Sequence, residues 1–425
     1  VNEIAGVSIA ELVQQYGSPL FVLSEAHLRH SVRRINQAFS SRYAKVRQAW
    51  SYKTNYLNAV SAILHQEGCD AEVVSEFEYD KARRLGVPAE RIFFNGPYKP
   101  RTALLKAVQE GARIHIDHLD ELALLEAVAC ELGVFNFPVT LRLNFDTGFA
   151  ENWGRFGFNI ENGQAMEAAK RIALSPTLKL TGLHNHIGTF ITEPRAYAEQ
   201  VRIMLDFMNS VEATTACTIS TLDIGGGFAS CNTPHGMSEP IIPSIEQYAE
   251  AICSVLATGL KNRLQQGKPL PELVLETGRA VVDEAEWLIA SVVANKRLPD
   301  GKRAIVLDAG VNLLAMAFGF NHNIRPVHPA QGKLEEAIIY GCLCMNTDIV
   351  CQSAYLPPVQ TGDLLSIYPV GAYNNSQSMQ FIQLRPAIVL VRQNGQVDKV
   401  RQAETLDDIE ALELLPHDLR PDFCC

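Results

Sequence analysis

Eight times between residues 46 and 276, a short apolar, β-branched run gives way to other chain, most often to a stretch with helical spacing. The runs are VRQAWSY (46–52), CDAEVV (69–74), RIFFN (91–95), RIHID (113–117), VTLRLN (139–144), LTGLHNH (180–186), STLDIG (220–225) and LVLE (273–276). The helical stretches include NAVSAILHQEG, EFEYDKARRLG, RTALLKAVQEG and DELALLEAVACELG, which end in Gly as a left-handed residue after a helix would. Strands that alternate with such helices form βαβ units around a parallel sheet. Eight units in about 250 residues predict an α/β fold closed as a (β/α)8 TIM-like barrel. Periodicity alone leaves a doubly wound open sheet as the alternative.

Beyond about residue 280 the texture changes. AEWLIASVVANKRL, RAIVLDAG, AIIYGCLC, DLLSIYPVG and PAIVLVRQNGQV read as strands broken by Gly, Pro and Asn, which predicts a mainly β second domain. The acidic end of the chain reads as a helix or tail. Lys+Arg 37 against Asp+Glu 47 leaves a net charge of −10, which argues against nucleic acid or an anionic membrane as partner. No apolar run is long enough to span a bilayer, and the first residues lack the basic-then-apolar pattern of a signal peptide. The ten cysteines are scattered without a CxxC pair, so free thiols in a reducing cytoplasm are expected. The terminal Cys424–Cys425 pair has no evident role.

Reactive residues of a (β/α)8 barrel sit at the C-terminal ends of its strands. Here those ends are Lys53, Glu72, Asn95–Gly96, Asp117, Asn144, His186, Gly225–Gly227 and Glu276. A lysine, a histidine, carboxylates and a glycine run on one rim suit a phosphate-bearing electrophile held by the lysine. Lys53, in SYKTN, emerges from an apolar run, and desolvation is expected to lower its pKa and make it a nucleophile. An ordinary surface lysine is the alternative. Gly225, Gly226 and Gly227 let backbone N–H groups approach a phosphate, or simply make a tight turn. In ETGR, Glu276 suits a pyridine nitrogen, Gly278 a close approach and Arg279 a phosphate or carboxylate. A capping Glu and a surface Arg would read the same way. His186 could stack on an aromatic ring. His184, two residues earlier, lies on the same strand face, but no carboxylate or Cys has the spacing to complete a metal site with the pair. Cys344 and Tyr373 fall in the second domain, where single Cys and Tyr residues usually pack.

These motifs, with YGSPLFVL near the start, GLHNHIG, the GxLCxxxD pattern at 341–348 and GAY at 371–373, occur in one order that resembles the fold-type III pyridoxal-phosphate-dependent amino acid decarboxylases, and most closely those related to diaminopimelate decarboxylase. The resemblance covers nearly the whole chain. It implies a cofactor-binding barrel over 25–280, a β-rich domain over 281–425 joined by 1–24, and a head-to-tail homodimer with shared active sites. It implies that Lys53 bonds the cofactor, His186 stacks on its ring, and Glu276 pairs with the ring nitrogen. Thr189, the glycines 225–227, Gly278, Arg279 and Tyr373 would surround the phosphate. Cys344, from the partner subunit, would handle the proton at Cα. A carboxylate at the ring nitrogen favours decarboxylation over racemisation, because it keeps the ring a strong electron sink.

Two departures concern the substrate's far end. Relatives carry an acidic residue after the cysteine, where this chain has Met345. Met316 and Phe320 fall where diaminopimelate decarboxylases are expected to carry Arg and Tyr. A thioether cannot offset a buried ammonium. Glu72 also replaces an Asp, and ETGR replaces EPGR. Retained chemistry with altered distal recognition follows, with Arg325 or His322 as replacement contacts and Arg279 beside a substrate carboxylate. The rival readings are an authentic diaminopimelate decarboxylase, a non-catalytic cofactor-binding homologue, a racemase, and a barrel hydrolase.

Overall fold

The computed structural model describes residues 2–149, 151–237, 240–328 and 332–420, so Cys424–Cys425 lies outside the described residues. The chain divides into two compact units. One holds Glu25–Ala285 with Pro369–Ser376, and the other holds Val1–Ser24, Glu286–Tyr368 and Gln377–Cys425.

The first unit is a closed parallel barrel. Its strands are β1 (Val46–Ser51), β2 (Asp70–Val73), β3 (Ile92–Phe94), β4 (Arg113–Ile116), β5 (Phe137–Asn144), β6 (Leu178–His184), β7 (Thr221–Asp223) and β8 (Glu272–Thr277). Each pairs in parallel with the next, and β8 returns to pair with β1, Leu273 beside Val46 and Thr277 beside Trp50. Closure excludes the doubly wound alternative, because an open sheet would leave two unpaired edges. The runs at 69–74 and 220–225 shorten to four and three residues as strands.

Local chemistry sets the helices between the strands. Ser75 accepts from the backbone N–H of Glu78 and starts the helix Glu76–Arg84. Ser244 and Gln247 form a reciprocal capping box on Ile245–Gly259. Gly111, at φ +80, ends Arg101–Glu110 in the left-handed conformation that a side chain would disfavour. Ala49, Phe93 and Val274 pack together inside the barrel, so it is filled beneath its mouth.

The second unit is mainly β. Leu20–Ser24 pairs antiparallel with Glu286–Arg297 and parallel with Ile388–Val391. Leu20, Val22, Ile289, Val389 and Val391 form its core, with Ile9 and Leu12 of the helix Ile9–Tyr16. This is why the N-terminal segment belongs with the C-terminal part of the chain. Among the described residues, the acidic end contains the short helix Leu406–Glu410 and a turn at His417–Leu419. Residues 369–376, placed by sequence in the second domain, belong to the barrel unit, and Tyr373 goes with them.

Candidate active site

Lys53 follows β1 in the single turn Tyr52–Thr54, and its Nζ donates to Glu72 Oε2 at 2.7 Å. Glu72 lies on β2 and is buried, while the lysine side chain is 38% exposed. Asn95, just after β3, donates its Nδ2 to Glu72 Oε1 at 3.3 Å and also to Glu276 Oε1. The expected drop in the Lys53 pKa is overturned. Burial does lower it, but the charges of Glu72, Glu276 and Tyr373, with the hydrogen bond to Glu72, raise it above its ordinary value. The free side chain is therefore an ammonium at neutral pH, with a carboxylate placed to take its proton. Lys99 is buried nearby but already donates to the carbonyls of Gly96 and His115 and to Glu121, so it has no proton left to direct at a ligand.

Beneath these groups lies a polar layer that single strands do not reveal. His115 on β4 is 2.7 Å from Asn95 Oδ1 through its Nδ1, and its ring centroid is 4.8 Å from that of His184 on β6. His184 Nε2 is 3.5 Å from Glu276 Oε1, and His115 Nε2 is 3.8 Å from Asp223 Oδ2. Burial pushes both histidines well below their ordinary pKa, so both are neutral. Burial and the charge of Glu276 push Asp223 upward. Along the sequence no carboxylate has the spacing to complete a metal site with His184, but the fold does not depend on that spacing. Barrel closure brings Asp223 and Glu276 to it from distant strands, and with His115 these four offer ligand atoms within 4.8 Å of one another. His186 does not share this layer. It stands beyond the end of β6, with the Trp153 ring edge-on at 5.4 Å between centroids.

At the rim, burial and the Lys53 charge push the His186 pKa down to about 3. The Gly226 N–H donates to His186 Nδ1 at 3.1 Å, so the neutral ring carries its proton on Nε2. The glycine run is sterically required. A Cβ on Gly225 would stand 2.7 Å from His186 Nδ1, and one on Gly226 or Gly227 would strike the carbonyl of Glu276 or Gly188. A Cβ on Gly278 would be 2.5 Å from Thr54 Oγ1. Arg279 Nη1 bonds Asp283 at 3.2 Å, and its guanidinium lies 5.3 Å from the Tyr373 ring. Tyr373 is held at φ +65 by its N–H to the Thr54 carbonyl, 2.7 Å away. Thr189 is exposed on the loop after His186.

Asp117 and Asn144 hold the wall rather than the rim chemistry. Asp117 accepts from Arg142 at 3.2 Å, and Asn144 donates to the Trp153 carbonyl at 3.1 Å. Sequence reasoning missed Arg142, His115, Asp223 and Trp153. For the first three a signal was available: polar side chains within otherwise apolar strands, aimed into the barrel.

The remaining predicted residues lie in the second unit. Cys344 is exposed, and Met345 donates its N–H to the Leu343 carbonyl at 2.8 Å. Asp348 ties this loop to another, accepting from Val311 N at 2.8 Å and Leu343 N at 2.7 Å. Met316 sits on the turn Ala315–Phe318 and Phe320 just after it. Arg325 is exposed on Asn323–Pro326, and His322 is buried at 4% exposure.

A lysine with its own proton acceptor, a second carboxylate, a neutral imidazole, a buried arginine and a glycine cradle that any side chain would fill together fit pyridoxal phosphate. The chain belongs to the pyridoxal-dependent decarboxylases: residues 26–283 match the family's pyridoxal binding domain. It is a pyridoxal-phosphate-dependent carboxy-lyase. Among its relatives, diaminopimelate decarboxylase of Methanothermobacter thermautotrophicus is 31% identical over 96% of this chain and 94% of its own length. That of Bacillus subtilis is 30% identical over 97% and 95%. The structure of diaminopimelate decarboxylase from M. jannaschii with L-lysine superposes with a TM-score of 0.89 at 28% identity, covering 98% of this chain and 97% of that one.

Proposed function

We propose that this enzyme removes the α-carboxyl group of an amino acid by diaminopimelate decarboxylase-type chemistry, with altered contacts to the substrate's distal end. The observation that carries the reading is the Lys53 amine, 2.7 Å from Glu72 and joined through Asn95 to Glu276. Pyridoxal phosphate, when bound, supplies a ring that takes up the electron pair left as carbon dioxide departs. Lys53 holds the cofactor, and Glu72 takes the proton from its Nζ. Glu276 keeps a proton on the ring nitrogen. His186, neutral and fixed by Gly226, supports the ring's face. The glycines 225–227, Gly278, Arg279, Thr189 and Tyr373 bind the phosphate and its surroundings, and Arg279 also faces the substrate carboxylate. Cys344, contributed by the partner of a homodimer, delivers the proton to Cα. We place this dimer in the cytoplasm. Among the described residues no helix is long and apolar enough to cross a membrane.

Met345, Met316 and Phe320 supply no charge for a distal ammonium or carboxylate, while Arg325 is exposed. They suit a larger, less charged or conjugated amino acid, such as a siderophore or antibiotic precursor. Near-full-length identity to diaminopimelate decarboxylases supports a second reading, that diaminopimelate itself is the substrate. Mass-detected turnover of diaminopimelate, lysine, ornithine, arginine, glutamate and citryl-amino acid conjugates separates the two. Efficient turnover of diaminopimelate alone refutes the altered pocket. Cofactor binding without carbon dioxide release from any of these would support a non-catalytic homologue.

A further inference from the structure

We propose that His115 and Asn95 act as a brace that fixes how Glu72 and Glu276 present their oxygens, making both of them positioning residues for the lysine and the ring nitrogen. The inference rests on the proposed roles of Lys53 and Glu276, but the brace itself is a property of the protein alone.

The argument starts at Asn95, which is 3% exposed. One end of its amide faces two carboxylates, Glu72 Oε1 and Glu276 Oε1, and only a donor is tolerated there. The amide oxygen must then face His115 Nδ1, 2.7 Å away, so that nitrogen must carry a proton. The groups around His115 are Asn95, His184, Asp223 and Glu276, with Lys99 on its backbone carbonyl, the charge of Arg142 acting on it and the Phe93 ring edge-on. Burial and the neighbouring positive charges keep the ring neutral, so its Nε2 is bare. That bare nitrogen faces Asp223 Oδ2 at 3.8 Å, too far for a hydrogen bond. Asp223 Oδ1 already accepts from Gly225 N. Burial, the charge of Glu276 and a shared contact with Glu276 raise the Asp223 carboxyl, so the layer holds one proton, shared between these two carboxylates. Replacing His115 with a residue that cannot donate leaves the Asn95 amide oxygen buried and unpaired, so the amide loses the contact that holds its donors on the two carboxylates.

The test uses the full-length protein. Nitrogen-15 NMR of histidine-labelled protein without cofactor, with the His115 signal assigned by its loss in His115→Gln, should show the Nδ1–H tautomer at neutral pH. An Nε2–H tautomer or an imidazolium overturns the brace. In His115→Phe the affinity for pyridoxal phosphate should fall about tenfold, with a shifted absorbance of the bound cofactor, and His115→Gln, which keeps a donor, should restore both. Wild-type affinity and spectrum in His115→Phe overturn the proposal. If that variant does not fold, Asn95→Asp, which adds a third carboxylate of the same shape, should show the same losses, and unaltered binding in it is equally fatal. Stoichiometric divalent metal in the purified protein would assign the layer to an ion and overturn the shared proton. Covalent cofactor attachment that persists in Lys53→Ala would refute the functional reading and leave the tautomer result standing.

Discussion

Replacing Glu72 by Gln removes one negative charge 2.7 Å from Lys53 Nζ while keeping the side-chain shape. At that separation and an effective dielectric near 20, the lost attraction is about 6 kcal/mol. Because the Lys53 side chain is 38% exposed, water screens much of this. If only a quarter survives, about 1.4 kcal/mol, the ratio of neutral to charged amine changes tenfold. The sign follows from the causes of the shift. The Lys53 pKa is raised in the fold, Glu72 is the largest influence raising it, and the burial that lowers it remains in the variant. The amine is therefore more often neutral at any given pH. Only the neutral amine attacks an aldehyde. Stopped-flow absorbance of pyridoxal phosphate combining with cofactor-free protein, from about pH 6 to about pH 10, reads this directly. The whole range lies below the raised Lys53 pKa, so the rate should rise about tenfold at each pH. A rate equal to or below that of the wild type refutes the assignment of Glu72 as the partner that holds Lys53 charged.

Gly226→Ala forces a Cβ onto the Glu276 carbonyl, so destabilisation of about 1–3 kcal/mol and weaker cofactor binding are expected, whereas Gly154→Ala, with open space around it, should melt like wild type. If Cys344 serves the partner's site, mixing equal amounts of Lys53→Ala and Cys344→Ala subunits should recover about a quarter of wild-type activity, since half the dimers are mixed and each has one intact site. No recovery after verified subunit exchange means that the cysteine serves its own chain. His184 is neutral in the fold, with its pKa below the unfolded value, so the unfolded chain takes up the extra proton and stability is lost as pH falls through about 6.5. Its share is about 1.4 kcal/mol per pH unit below that point. The raised pKa values of Asp223 and Glu78 act in the opposite sense, so the comparison is with His184→Gln, whose denaturation midpoint should fall less steeply on acidification.

The rim of the site was legible in the sequence because each of its residues follows a recognisable strand. Lys53 after VRQAWS, Glu276 at the end of LVLE and the glycines after TLDI need only the rule that barrel chemistry lies where strands end. The barrel itself was legible for the same reason, since eight alternations admit few arrangements. What lies one layer deeper was not. Whether His115 meets Asn95, or Asp223 meets His115, depends on the stagger of β3, β4 and β7 around a closed sheet, and no single strand encodes that stagger. The Lys53 pKa was misjudged for the same reason. Desolvation can be read from one strand, whereas the carboxylates that overcome it come from the ends of β2 and β8 and belong to the assembled barrel. Tyr373 was placed in the wrong unit because its neighbours in sequence are β-rich, yet Gly371, where a Cβ would strike the Val282 carbonyl, lets the chain return tightly enough for Tyr373 to bond Thr54. A carboxylate in such a site takes its working state from residues on strands it does not touch in sequence. A substitution at position 95 or 115 therefore tests the chemistry of Glu276 as directly as a substitution at Glu276 itself.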